Sequence, residues 1–172
     1  MLKLRSIVLL LGLLLLVGLP VLAQDAETTV SLGSSDEFGS FLVGPNGMSL
    51  YRFDPDPLNT SVCNGRCAEN WPPLTVESAD GLTAAEDIPG QLGTTTRDDG
   101  ALQVTYNGVP LYYWAKDENV GDTTGHRVGR VWWVVPPATV AALPNADLGP
   151  ILAGPTGMTV YTFTKDEPGV SN

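Results

Sequence analysis

One ten-residue pattern occurs three times in this chain and fixes most of what it can fold into. Glycine, two spacers, an aliphatic residue, tyrosine, a spacer, an aromatic ring, two spacers and aspartate are spelled by "GMSLYRFDPD" (47–56), "GVPLYYWAKD" (108–117) and "GMTVYTFTKD" (157–166). In two copies the glycine follows asparagine, as Asn46-Gly47 and Asn107-Gly108, and in the third Gly157 follows Thr156. Asn-Gly between apolar runs signals a hairpin, because both residues tolerate the positive φ of a tight turn. Each copy therefore reads as the second strand of a β-hairpin. Side chains alternate along a strand, so Tyr51 with Phe53, Tyr112 with Trp114 and Tyr161 with Phe163 share one face, while Leu50, Leu111 and Val160 begin the other. Asp56, Asp117 and Asp166 come three residues after the ring, where the strand ends and a carboxylate can fix a turn by accepting backbone N–H groups. Two other roles stay open for them. Each could take the hydroxyl of a repeat tyrosine or help bind a cation, although one carboxylate per copy with no attendant histidine makes a poor metal site.

The rest of the chain is punctuated in the same way. Nineteen glycines and fourteen prolines fall at short intervals, and past the first 23 residues no segment keeps a 3.6-residue apolar period beyond a turn or two. This predicts an all-β protein. Candidate strands are "SFLVG", "MSLYRF", "LGTTTR", "ALQVTY", "VPLYYWA", "RVWWVV", "PILAG" and "MTVYTF", with short helical turns expected at "TAAEDI" and "ATVAAL". The expected architecture is a set of antiparallel hairpins forming a small sandwich or barrel-like unit.

Lys3 and Arg5 precede the apolar run "IVLLLGLLLLVGLPVLA", which ends in small residues before "QDAETT". That is the signature of a secretory signal peptide over 1–23, cleaved after Ala23; an uncleaved segment would be the chain's route to a membrane. The only cysteines are Cys63 and Cys67, so a lipid-bearing cysteine at the cleavage point is lacking and direct lipidation is not expected. Without Lys3 and Arg5, seven basic residues face nineteen acidic ones, a formal net charge of −12. Such a chain has no electrostatic footprint for nucleic acid or for an anionic membrane surface, and its acidity reads as a solubilising surface. Its partners are then an unidentified envelope component or a small ligand.

In an exported protein two cysteines separated by the turn-forming "NGR" most simply form a local disulfide, Cys63–Cys67, which would fix the loop ahead of Trp71-Pro72-Pro73. The sharper alternative is a periplasmic redox or metal-handling protein. Redox pairs commonly have two intervening residues rather than three, and a haem attachment would need histidine where Ala68 follows Cys67. Cys63, Cys67 and His126, with Met48 or Met158, would suit copper by softness, but nothing in their spacing brings them together. His126 itself lies in the glycine-rich "GDTTGHRVGR", a loop of the kind that often carries function. Trp132 and Trp133 would face opposite ways on a strand, leaving one for the core and the other as a candidate binding surface. The sequence contains no Gly-x-Ser-x-Gly elbow, phosphate-cradling loop or paired catalytic carboxylates, so neither an enzymatic residue nor a cofactor is assigned.

The triple Tyr-x-aromatic-x-x-Asp motif, with "CNGRCAENWPPL" and "GDTTGHRVGRVWWVV", closely resembles the bacterial secreted-repeat lipoproteins of unknown function. The resemblance implies two half-units, here 41–76 and 98–135, within a first repeat unit over 41–148 that follows a linker at 24–40. It also implies an exported, envelope-associated module, most simply a structural or binding one. "FLVGPNGMSLYRFDPDPLNTSV" (41–62) aligns without gaps on "ILAGPTGMTVYTFTKDEPGVSN" (151–172) at a constant offset of 110, so residues 149–172 read as the truncated start of a second unit.

Overall fold

In the computed structural model the described residues are 28–137, 141–143, 147–149, 151–154 and 158–161; the signal segment, Gly157, Phe163 and Asp166 lie outside them. Strand β1 (Ser31–Ser35) turns through 36–38 and returns as β2 (Gly39–Val43), paired from Ser31 with Val43 to Ser35 with Gly39. The residues expected as a linker thus open the fold. Their polar, small "SLGSS" hides the strand because β1 is only half-buried. The first Tyr copy follows as β3 (Tyr51–Phe53), and the cysteine loop contains the five-residue helix α1 (Arg66–Asn70).

Strands β4 (Thr75–Val76), β5 (Leu92–Thr96), β6 (Leu102–Tyr106) and β7 (Val109–Pro110) form an antiparallel sheet in which β6 pairs with the other three. The β6–β7 turn is Asn107-Gly108 at φ 52° and 79°, the left-handed pair that the sequence predicts. β8 (Trp132–Val134) pairs with β3, matching Tyr51 with Val134 and Phe53 with Trp132. Last come β9 (Ala141–Leu143) and β10 (Ile151–Ala153), paired antiparallel. The end of "ATVAAL", Ala141–Leu143, is strand and pairs with β10, while 138–140 lie outside the described residues. "TAAEDI" is not helical either: Ala84 bridges Val30 and the Ala85 amide donates to the Val30 carbonyl at 2.9 Å. The sheets are antiparallel and none closes into a barrel.

The two Tyr copies meet at the centre. The Tyr51 amide donates to the Tyr112 carbonyl at 2.8 Å and the Tyr112 amide returns the bond to the Tyr51 carbonyl at 2.9 Å. Outward from this pair the bonds repeat with the halves exchanged. Leu50 donates to Leu42 (2.9 Å) as Leu111 does to Val104 (3.0 Å), Leu42 to Val135 (2.8 Å) as Val104 to Leu74 (2.8 Å), and Val135 to Leu50 as Leu74 to Leu111 (both 3.0 Å). The half-units are therefore related by a pseudo-two-fold axis between Tyr51 and Tyr112, and each donates the strand that covers the other.

Both faces of the motif strands are buried. Leu50 and Leu111 enter an aliphatic core with Leu42, Leu74, Val104 and Val135, while Tyr51 and Tyr112 enter an aromatic core with Phe41, Trp71 and Trp132. The aliphatic-then-tyrosine order of the motif is thus a layer order. Consecutive residues fill separate cores because successive side chains leave a strand on opposite sides.

Candidate functional site

The aspartates of the motif are engaged across the axis. Tyr51 Oη donates to Asp117 Oδ2 at 2.6 Å, and Tyr112 Oη donates to Asp56 Oδ2 at 2.6 Å, so each copy's tyrosine is held by the other copy's aspartate. The remaining oxygen of each carboxylate fixes its own loop: Asp56 Oδ1 accepts the Val62 amide at 2.8 Å, and Asp117 Oδ1 accepts the Thr124 amide at 3.0 Å and its hydroxyl at 2.6 Å. The turn-fixing and tyrosine-accepting roles are both realised, one per oxygen. Spacing along the chain carries no signal that the acceptor belongs to the opposite copy.

The two pairs differ in their surroundings. Asp56 is 2% exposed; burial raises its carboxyl above the ordinary range, opposed by the bonds from Tyr112 and Val62 and by the Arg97 charge. Asp117 is half-buried. Burial, reinforced by the facing carboxylates, pushes both tyrosine hydroxyls far above their usual range, so these phenols stay protonated as donors. Tyr113, on the other face, is pushed up to about 12 by burial, and its hydroxyl lies where a Cβ on Gly44 would clash at 2.0 Å.

Between the tyrosines stands a column of four rings: Phe53, Trp132, Trp71 and Trp114, with successive centroids 4.2, 3.8 and 4.1 Å apart. Tyr51 meets Trp71 edge-on at 5.4 Å and Tyr112 meets Trp132 edge-on at 5.2 Å. The column obeys the same axis, with Trp71 and Trp132 parallel within 4° at its middle. Lys116 Nζ caps the Trp114 end at 5.4 Å. Trp71, which the sequence offered only as part of a loop, is the partner of Trp132 under the symmetry that relates Tyr51 to Tyr112. "WPPL" and "WWVV" differ too much around the ring for that equivalence to show.

The expected surface residues resolve into two environments. Trp132 is 4% exposed and is the member of the pair that belongs to the core, which leaves Trp133 as the surface candidate. Trp133 is half-buried; its Nε1 donates to Asp54 Oδ2 at 2.7 Å and its ring meets His126 edge-on at 5.3 Å. His126 also packs on Phe38 at 4.4 Å, and its Nδ1 accepts the Val134 amide at 3.3 Å. Partial burial, with help from Arg127 and Arg52 against an opposing Glu37, holds the imidazole below its usual pKa.

Cys63 and Cys67 form a disulfide, with Cα atoms 5.2 Å apart. His126 therefore stands against Phe38 and Trp133 rather than beside paired thiolates. Met48 lies half-buried in a cleft beside Trp114 and Met158 is exposed. Among the described residues no group of three His, Cys, Asp or Glu side chains gathers as a metal site requires.

Arg97, which the sequence does not single out, is 4% exposed and ties the cysteine loop to the tyrosine network. Its Nη1 donates to Ser61 Oγ and Gln103 Oε1, both at 2.7 Å, and its Nη2 donates to the Cys63 carbonyl at 2.8 Å and Asn64 Oδ1 at 3.0 Å. Ser61 Oγ in turn lies 2.7 Å from Tyr112 Oη. A cleft of about 240 Å³ opens at the Trp114 end of the column, lined by Asn46, Met48, Pro72, Tyr113, Trp114 and Asp117.

These features define a class, an all-β module built from two copies of one half-unit that exchange strands, rings and hydrogen bonds about a shared axis. The chain belongs to the Lipoprotein_15 family, a secreted repeat of unknown function, whose profile matches residues 34–75 and 93–136, one match per half-unit and together half of the chain. Both matches extend beyond the starts expected at 41 and 98, the first into β1. No curated protein and no solved structure matches the chain.

Proposed function

We propose that this chain is a non-enzymatic module of the bacterial envelope, exported by a signal peptide cleaved after Ala23, not lipidated on a cysteine, and serving to present a binding surface on a rigid scaffold. One observation carries the reading. The polar groups that recur in the motif are turned inward on each other, Tyr51 on Asp117 and Tyr112 on Asp56, so the repeated residues build the scaffold instead of forming a reactive centre. Function on such a scaffold falls to its open surface, where the Trp114 cleft offers an aromatic wall and polar rim suited to a small ligand.

The test is a native mass spectrum of the protein purified from its export compartment. A chain beginning at Gln24, two hydrogens lighter than its thiol form and carrying no metal or haem, supports the module. Free thiols at Cys63 and Cys67 with one stoichiometric metal or haem would overturn it in favour of a redox or metal-handling protein. A Trp114→Ala variant that keeps the fold and loses a ligand co-purified with the parent protein would locate the binding surface.

A further inference from the structure

From Leu50 to Leu74 the two half-units correspond at an offset of 61, which sets Phe53 on Trp114 and Trp71 on Trp132. The same offset sets Arg52 on Tyr113, Asp54 on Ala115 and Pro72 on Trp133. The backbone agrees: Arg52 is the strand partner of Trp133, and the Tyr113 amide donates to the Pro72 carbonyl at 2.8 Å. At these three positions the halves part. At the Phe53 end of the column the indole of Trp133 reaches from β8 to Asp54, where Nε1 donates to Oδ2 at 2.7 Å, and Arg52 pairs with the same carboxylate. At the Trp114 end the corresponding positions hold Pro72 and Ala115, whose side chains are too short for that span. Both line the cleft of about 240 Å³, together with Tyr113. The cleft is thus the place that the chain's own indole takes at the other end of the column.

We propose that the Trp114 cleft takes an uncharged planar aromatic molecule of about the size of indole. This rests on the reading of the cleft as the ligand site of the module. The volume lies below the roughly 300–1,000 Å³ of drug-sized sites, so one or two fused rings fill it. Its apolar walls are Trp114, Pro72 and Met48, a ring, a flat pyrrolidine and a thioether, all of which pack well on aromatic faces and edges. Asn46 Oδ1 accepts the Met48 amide at 3.0 Å, which leaves its Nδ2 as a donor to a polar atom of the ligand. Tyr113 adds a hydroxyl that burial keeps protonated. Asp117 is already spent on Tyr51 and Thr124, so its carboxylate is not left over to pair with a cation. Among the described residues lining the cleft there is no Lys or Arg for an anion.

The experiment is a titration of the isotope-labelled mature chain with indole, followed by nuclear magnetic resonance at the Asn46 side-chain amide and Trp114 Nε1. Cyclohexanol, neutral but not planar, and glucose, neutral and polar, are the comparison probes. Expected are saturable shifts centred on the cleft with a Kd of roughly 0.1–1 mM, the range for a ligand of about nine non-hydrogen atoms. Cyclohexanol and glucose should bind about tenfold more weakly, the upper scale of a lost ring–ring contact. Pro72→Trp combined with Ala115→Asp rebuilds the Trp133–Asp54 pair inside the cleft and should abolish the indole shifts. Should that double variant not fold, Asn46→Ala, at an exposed turn residue, should weaken indole by about three- to tenfold, the scale of one hydrogen bond. Absent or unsaturable indole shifts, shifts centred elsewhere, cyclohexanol binding as tightly as indole, or an affinity indifferent to both variants would overturn the inference. Glucose or cyclohexanol binding in the cleft where indole does not would strike the aromatic ligand alone. The reading of the cleft as the module's site falls separately, if Trp114→Ala retains the ligand co-purified with the parent protein.

Discussion

Replacing Tyr112 by phenylalanine removes a single oxygen from the middle of the molecule and should be costly out of proportion to its size. The ring keeps its edge-on contact with Trp132, so no sizeable cavity opens. The loss is the 2.6 Å bond to Asp56 Oδ2 and the 2.7 Å contact with Ser61 Oγ. A hydrogen bond to a charged group contributes about 1.5–3 kcal/mol, and the upper part of that range applies when the acceptor stays buried without a replacement. Asp56 is 2% exposed and shut off from bulk solvent, so we expect a loss of about 2–3 kcal/mol. For a domain of this size that is a fall in Tm of roughly 8–15 °C. Tyr51→Phe is the internal control. Asp117 is half-buried and keeps two bonds from Thr124, and the Gly125 amide loses only a long 3.3 Å bond to the hydroxyl, so the loss should be smaller, about 1–2 kcal/mol.

The assay is thermal unfolding followed by near-ultraviolet circular dichroism across pH, and the sign of the pH effect follows from Asp56. Its folded pKa lies above the unfolded 3.8, raised by burial and held down by the Tyr112 bond. In Tyr112→Phe that restraint is gone and the folded pKa rises further. A raised folded pKa means the native state gains by binding a proton, so the variant should recover stability as pH falls through that pKa toward 3.8. The gap in Tm to the parent protein should therefore shrink in acid. A Tyr112→Phe loss no larger than that of Tyr51→Phe, or a gap that stays constant with pH, would refute the reasoning.

Further expectations concern the column and its surroundings. Gly125→Ala would place a Cβ 2.9 Å from both Trp71 and Tyr51; overpacking of this kind costs about 1–3 kcal/mol, to be read as a lower denaturation midpoint at unchanged m-value. Reducing the Cys63–Cys67 disulfide opens a ring spanning only four positions, so chain entropy limits the loss to about 2 kcal/mol, and the near-ultraviolet signal of the tryptophans should survive reduction. His126 has a folded pKa below the ordinary 6.5, so its contribution is complete above that value and is lost as pH falls below it. His126→Gln should flatten the decline in Tm between about pH 7 and 5, and an unchanged decline would contradict the buried-acceptor role of Nδ1.

Much of this was legible in the chain because the motif is local. The Asn107-Gly108 turn, the split of Leu50 and Tyr51 between faces, the turn-fixing aspartates, the disulfide and the offset of 110 rest on spacings of a few residues or on direct repetition. What was hidden is long-range. Tyr51 and Asp117 are 66 positions apart, and no periodicity says which copy's carboxylate a tyrosine will meet. Arg97 in "TTTRDD" carries no local sign of burial and is buried because Ser61, Gln103 and the Cys63 loop converge on it from elsewhere. α1 is too short to carry an amphipathic period, and β9 shows that a helix-favouring "AAL" yields to a waiting strand partner.

The order of rings in the column has a spectroscopic consequence. Read along the stack, the contributors alternate between half-units: Phe53 from the first, Trp132 from the second, Trp71 from the first, Trp114 from the second. No two neighbouring rings come from the same half, so the indole transition dipoles can couple only once the halves have interdigitated. Coupling between parallel indoles at 3.8 Å should perturb the ultraviolet dichroism of the folded protein in a way that neither half could reproduce alone. The protein thus carries an unlabelled optical gauge of its own assembly, sensitive to the meeting of its halves and blind to hairpins that form within one of them.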